Sequence, residues 1–270
     1  MNKLRILFLL LLIYGNISAG WVITEQSTDP FGNKFTQTVF IQDNLIRYET
    51  PSSVAIIDLN NNSITIVFSQ YRVYWSGTIS ELKTSSLESY EMQMEEIIAG
   101  LHPSEREELD SIYFIFKQQL MDTLVAQPDN RFVLIETDDN DEIMGYHAIK
   151  YNILSDSTLV ESVWYTEEIQ PYNDIDMHNM NSFMQQMNPA SNRSKLTQTS
   201  EYFKLLQNGM LLKSYEYSPE GDTFEVIVTN IRNINIVKEF FLPPENYQKA
   251  ELTEILNLMP EIKDYDDLDR

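Results

Sequence analysis

Between Trp21 and Gly77 six short segments follow one another with almost nothing between them: WVITEQ, FTQTVFI, LIRYE, VAIID, SITIVF and VYWSG. Each is rich in Val, Ile, Thr, Tyr and Phe, the residues that suit a pleated surface. The intervening text, DPFGN, QDN, TPSS, NNN and SQ, is turn chemistry, with asparagines that accept the left-handed backbone of tight hairpins. Parallel pairing needs crossovers of a dozen residues or more, so connections this short force an antiparallel meander. VAIID-LNNN-SITIVF reads as one hairpin of it and VYW as the next strand.

The period then changes. SSLESYEMQMEEIIAG has Ser85 and Glu88 at capping-box spacing and closes on Gly100. PSEREELDSIYFIFKQQLMDTLVAQP follows, with Ser104 and Glu107 spaced alike and Leu109, Ile112, Phe116, Leu120 and Leu124 on one helical face. These predict a helical hairpin inserted at about 85–127. Strands resume with RFVLIE, YHAIKYNI and LVESVWYT, the turn TDDNDEIMG separating the first two. A third helix is expected over Asp174–Met187, and the strand pair MLLKSYEY and TFEVIVTNI brackets SPEGD. About eleven strands and three principal helices, in the order strands, helices, strands, predict an α+β fold on a large antiparallel sheet. Without internal repeat or linker, 20–270 reads as a single domain.

Residues 1–19, MNKLRILFLLLLIYGNISA, have the form of a secretory leader: Lys3 and Arg5, the apolar core Ile6–Ile13, and small residues before Gly20. The apolar run is shorter than the roughly 20 residues that span a bilayer, and no cysteine offers a lipid anchor. The chain is therefore expected to be exported to the periplasm or beyond, not membrane-spanning, and stable without disulfides. Its 41 acidic residues against 19 basic ones give a formal charge of −22, which repels nucleic acid phosphates and anionic membranes.

Catalytic text is sparse. Asp138–Glu142, DDNDE, suggests calcium, but an EF-hand loop counted from Asp138 would need glycine and glutamate where Ile143 and Ile149 stand. In DIDMH, Asp174, Asp176 and His178 could hold a metal; the two aspartates also suit a helix start, the reading preferred here. His147 shares alternation with Ile149, Tyr151 and Ile153, which predicts a core histidine. No Gly-x-Ser-x-Gly elbow or phosphate-cradling glycine loop occurs. No enzyme activity, cofactor or metal is expected.

Two features point to binding instead. Met177, Met180, Met184 and Met187 recur at helical spacing beside Phe183. Such a polarizable stripe can grip varied apolar ligands, or simply pack on a sheet. Tyr71, Tyr74, Trp75, Tyr151, Trp164, Tyr165, Tyr215 and Tyr217 fall on or beside strands, where they could line a cavity or fill a core.

The run DNLIRYETPSSVAIIDLNNNSITIVFSQYRVYW resembles the early strands of the outer-membrane lipoprotein carrier superfamily (LolA/LolB-like). IMGYHAIKYNI and VESVWYTEEI are similar to a later segment of an uncharacterised exported bacterial family on that fold. The resemblance implies an incomplete β-barrel whose concave apolar side is covered by helices, sheltering acyl chains. It implies that an early-strand arginine, here Arg47, helps hold the helical lid; an ordinary surface arginine is the alternative. The long helical insertion and the acidity depart from the carriers. The expectation is thus an exported, non-enzymatic protein that binds or shields a lipid-like, acyl or peptide ligand. Arg47, Tyr74, Trp75, Trp164, Met177, Met180, Phe183 and Met184 are its candidate contacts. A structural or interaction module of the cell envelope, without a cavity, is the alternative.

Overall fold

The computed structural model describes residues 19–99, 114, 117, 132–187, 196, 199–218 and 221–258. Strands β1 (Gly20–Thr28), β2 (Lys34–Gln42), β3 (Leu45–Glu49), β4 (Val54–Asp58), β5 (Ser63–Phe68) and β6 (Val73–Thr78) lead into helix α1 (Ile79–Ala99). Next come β7 (Phe132–Ile143), β8 (Tyr146–Ser155) and β9 (Thr158–Thr166), a 3-10 turn at Pro171–Asp174, and helices α2 (Met177–Met187) and α3 (Ser200–Asn208). β10 (Met210–Tyr217), β11 (Thr223–Ile234), a second 3-10 turn at Lys238–Phe241, β12 (Gln248–Lys249) and α4 (Leu252–Leu258) follow. No helix among the described residues is long and apolar enough to cross a membrane.

All twelve strands join one sheet in the order β12-β6-β5-β4-β3-β2-β1-β11-β10-β9-β8-β7. It consists of two meanders, β1 to β6 and β7 to β11, sewn together where β1 pairs antiparallel with β11 from Gly20↔Ile234 to Thr28↔Glu225. The one parallel contact is the two-residue β12 against β6. The sheet is open, not closed into a barrel. The eleven strands expected from the sequence are all present; β12 is too short to leave a pattern.

Hairpin chemistry explains the regularity. Asp43-Asn44, Met144-Gly145 and Asp156-Ser157 are two-residue turns with both residues in the left-handed region, which matches the twist of the flanking strands. At the β4–β5 turn the Asp58 carboxylate accepts the backbone N–H groups of Asn60 and Asn61, at 2.9 and 3.1 Å, replacing ladder bonds the turn cannot make.

Both faces of the first meander are buried. One carries Ile23, Val39, Ile41, Ile46, Ile57, Ile64 and Trp75, packed with Ile79 of α1, Phe183 of α2 and Ile255 of α4. The other carries Val22, Ile56 and Val67 beneath Ile236 and Phe241 of the segment after β11. A strand covered on both sides has no polar face, so VAIID and SITIVF read as near-continuous apolar runs. Alternation carried across the pairings of β1, β11, β10, β9 and β8 places Val163 and Tyr151 on the first face too, where Tyr202 of α3 packs near them.

Several expectations are corrected. α1 starts at Ile79, six residues before Ser85, because Thr78 and Glu81 form the real capping box. The Thr78 N–H donates to the Glu81 carboxylate at 2.6 Å, and the Glu81 N–H donates to the Thr78 hydroxyl at 3.2 Å. The Thr78 N–H and the Thr78 hydroxyl, both donating to the Glu81 carboxylate, hold it below its ordinary range. Ser85 lies inside the helix, its carbonyl accepting the Ser89 hydroxyl. Of the second half of the expected hairpin only Phe114 and Lys117, both helical, fall within the described residues. His147 is exposed and Ala148 is buried. β9 reaches only as far as Ile149, so the end of β8 has a neighbour on one side alone. Residues Asp138–Glu142 are strand, not turn: a bulge between Glu136 and Asn140 absorbs Asp138 and Asp139, Asp141 pairs with Ala148, and the turn is Met144-Gly145.

Candidate functional site

The approach of α2 to the sheet is fixed at the tip of the β2–β3 hairpin. The Asn44 N–H donates to the Asp174 carbonyl at 2.9 Å, and the Asn44 side-chain oxygen accepts the Asp176 N–H at 2.6 Å. Asp176 then caps the helix, accepting the N–H groups of His178 and Asn179 at 3.0 and 3.1 Å. Asp174 sits in the preceding 3-10 turn and is not a cap. Among the described residues no group of three or more metal-ligating side chains comes together.

So placed, α2 buries one side chain completely, Phe183, and leaves Met177 and Met180 half-buried and Met184 at the surface. Between the methionines and the sheet lies a cavity of about 260 Å³. Its floor is Ile23 of β1, Val39 and Ile41 of β2, and Ile46 and Tyr48 of β3. Met177, Met180 and Met184 roof it, and Tyr172, Ile175 and α3 residues Phe203 and Leu206 complete the wall. Glu25, Gln37 and Asn181 bring polar groups to an otherwise apolar lining.

Those polar groups are perturbed by their setting. Gln37 donates its amide N–H to the Glu25 carboxylate at 2.6 Å. Burial, reinforced by the charge on Glu25, pushes the Tyr48 phenol up to about 12, so it stays neutral. The side-chain oxygen of Asn181 is buried without a hydrogen-bond partner among the described residues, as is one oxygen of Asp174. Burial, with the charge of Asp43 second, raises the Asp174 carboxyl above its ordinary value.

The Asp174 shift sets a sign for stability. A carboxyl raised in the folded state favours folding when protonated, and that share is lost as pH rises through the folded value. At neutral pH the charged group is therefore a cost. Asp174→Asn is expected to raise Tm at pH 7 and to lose that advantage by about pH 3.5, below the ordinary carboxylate value. Thermal melts at the two pH values check this; an equal gain at both would assign the effect to shape, not charge.

Of the eight sequence candidates the cavity gathers three, Met177, Met180 and Met184. Phe183 and Trp75 are core, 1% and 3% exposed, in the cluster beneath the helices. Tyr74 points to the opposite face, as a neighbour of Trp75 on a strand must, and stands there with Thr65 and Ser76. Trp164 is partly buried against the cluster that holds Trp75 and is not among the residues lining the cavity; Lys150 and Lys213 lie about 5 Å from its ring and Tyr215 stands edge-on at 5.5 Å. Arg47 does not reach the methionine helix. Its guanidinium lies 4.4 Å from the Phe240 ring, donates to the Phe240 carbonyl at 2.7 Å and pairs with Glu49 at 2.7 Å. It holds the segment after β11 against the far face of the sheet.

The cavity floor was not among the candidates, although the turn QDN carried the signal. Closing it with two residues sets Ile41 opposite Ile46 and Val39 opposite Tyr48. Arg47, between Ile46 and Tyr48, then has to face the other way.

No family model matches the chain, and no curated protein matches it. Among solved structures, an uncharacterized conserved protein from Thermus thermophilus is similar at 9% identity and a TM-score of 0.41, over 91% of this chain and 98% of that one. The MucA/MucB complex of Pseudomonas aeruginosa is similar at 9% identity and a TM-score of 0.35, over 86% of this chain and 58% of that one. A LolA superfamily protein from Nitrosomonas europaea matches at 7% identity and a TM-score of 0.26, over 83% and 90% of the two chains. The solved structures similar to this chain thus include a member of the LolA superfamily, distant in sequence.

Proposed function

We propose that this chain is an exported, non-enzymatic protein that shelters a hydrophobic ligand, with the helices lying over the concave side of the sheet as its cover. The observation that carries the reading is the cavity itself, floored by aliphatic strand residues and roofed by the methionine stripe. Methionine side chains are flexible and polarizable and repack around ligands of different shape. An apolar cavity of roughly 150 Å³ already admits benzene. About 260 Å³ therefore suits one short alkyl chain or one large apolar side chain, not several acyl chains together. Export is supported by the leader-like residues 1–19.

The double variant Met180→Gln, Met184→Gln tests the roof. Glutamine keeps helix propensity almost unchanged while removing apolar surface. Because Met180 is half-buried and Met184 is 36% exposed, the amides can reach water, and Tm is expected to fall by less than about 5 °C. An uncharged naphthylamine dye should brighten on binding the unmutated protein and bind the variant at least about tenfold more weakly, a difference near 1.4 kcal/mol. A dark dye with the unmutated protein, or an unfolded variant, would overturn the reading and return the helix to plain core.

A further inference from the structure

The face of the sheet opposite the methionine-roofed cavity carries a bay of about 350 Å³ between β12 and the segment after β11. Strand pairing orders its floor. Leu45, Asp58 and Ser63 form one row, Ile56, Thr65 and Ser76 the next, and Tyr74 stands beside Lys249. Lys238 and Phe241 line it from the other side. Both lysines stand on pinned backbone. The N–H groups of Gln248 and Ala250 donate to the carbonyls of Arg72 and Tyr74 at 3.1 and 3.0 Å, and Arg47 holds the Phe240 carbonyl at 2.7 Å, two residues from Lys238. The Asp58 carboxylate is engaged in its own turn, one oxygen accepting the N–H groups of Asn60 and Asn61 and the other the Asn61 side-chain amide at 2.7 Å. The Thr65 hydroxyl donates to the Ser76 hydroxyl at 2.8 Å, which leaves Ser76 its own hydrogen to give.

We infer that this bay is a second binding site, for a small organic phosphate monoester. Such a group carries a charge of about −1.5 to −2 at neutral pH and accepts hydrogen bonds on three oxygens. Two ammonium groups, compact charges that suit phosphate, match that charge, and the Ser76 hydroxyl adds a donor. A carboxylate would bring about half the charge. The carbon body of the ester has Leu45, Ile56 and Phe241 to lie against. An apolar cavity of roughly 150 Å³ already admits benzene, so about 350 Å³ holds phosphate and body together. Glu81 interacts electrostatically with Lys249, but its carboxylate is held by Thr78 at the start of α1 and is not among the residues lining the bay. The chain's formal charge of −22 opposes any anion from a distance, yet at 0.1 M salt that field is screened beyond about 10 Å, and the two lysines act inside that range.

Titration calorimetry at pH 7.5 with phenyl phosphate, inorganic phosphate and benzyl alcohol separates charge from body. Phenyl phosphate is expected to bind at least about tenfold more tightly than either of the others. The double variant Lys238→Gln, Lys249→Gln should weaken phenyl phosphate by at least about tenfold and leave benzyl alcohol within about twofold. Both lysines are exposed, so its Tm is expected to stay within about 2 °C of the unmutated protein. Ser76→Ala, which removes a hydroxyl and no charge, should weaken phenyl phosphate while leaving benzyl alcohol where it was. No binding of phenyl phosphate by the unmutated protein, or binding undiminished in the lysine variant, would overturn the inference. Inorganic phosphate bound as tightly as phenyl phosphate would overturn it too, as an adventitious ion only. The inference stands apart from the methionine-roofed cavity, which the dye reports on the other face of the sheet.

Discussion

Gly209→Ala is expected to destabilise the protein by about 2–3 kcal/mol, although it adds a single methyl group. Gly209 joins α3 to β10, its N–H donating to the Leu205 carbonyl at 3.1 Å. Its backbone is extended, at φ −173°, so conformational freedom is not the reason for glycine here. Space is. A Cβ at this position would run into the Thr166 carbonyl oxygen and stand 2.6 Å from the Tyr165 hydroxyl. Thr166 is the ladder partner of Met210, and Tyr165 is 2% exposed, so neither yields without parting β9 from β10. For a chain of this size the loss corresponds to a fall in Tm of roughly 5–10 °C, measurable by calorimetry. The same junction places Phe203 and Leu206 of α3 on the cavity wall, so dye binding should weaken alongside. A Tm within about 2 °C of the unmutated protein would mean that α3 is free to shift outward and is not fixed against the sheet.

The strands were legible because their signal is local. Six apolar segments and five polar turns leave an antiparallel meander as the one geometry with short enough connections, and the hairpin at Asp43-Asn44 has the left-handed backbone those residues accept. What remained hidden was which face each strand residue uses. On a strand buried on one side, alternation of polar and apolar residues answers that question. Here Ile56 and Ile57 are both buried, one beneath the segment after β11 and the other beneath the helices, so alternation is erased where it was needed. Tyr74 and Trp75 were grouped as aromatics although adjacent strand residues cannot share a face. For Arg47 the resemblance offers the helical lid and the strand text offers only a surface arginine; neither points to Phe240, which lies 193 residues away in a segment whose text shows no regular element. The capping box of α1 was misplaced for a different reason. Thr78-x-x-Glu81 overlaps the end of a strand, whereas Ser85-x-x-Glu88 stands clear of it and looks like a beginning. The helix starts directly from β6 because one threonine both ends the ladder and caps the turn.

Phe183→Ala should separate anchor from wall on a single helix, at a cost of about 3–5 kcal/mol and a fall in Tm of roughly 10 °C. Phe183 is the one side chain of α2 that is fully buried, at 1% exposure, in the cluster that also holds Ile175 and Trp75. Met180 and Met184, on either side of it in the helix, face the cavity and reach the surface. Removing the ring takes away the largest apolar contact holding α2 and leaves a void beneath it; removing the methionine surface, as in the glutamine variant, leaves that contact intact. The two changes should therefore move opposite observables. Phe183→Ala lowers stability first and binding as a consequence, so saturating dye should recover part of the lost Tm by mass action. Met180→Gln with Met184→Gln lowers binding at nearly constant Tm. If Phe183→Ala instead cost less than about 1 kcal/mol, the site would have collapsed around the lost ring or the ring would not be holding the helix. A dye affinity unchanged in that variant would decide for the second, because a cavity roofed by a helix cannot keep its shape when the helix has moved.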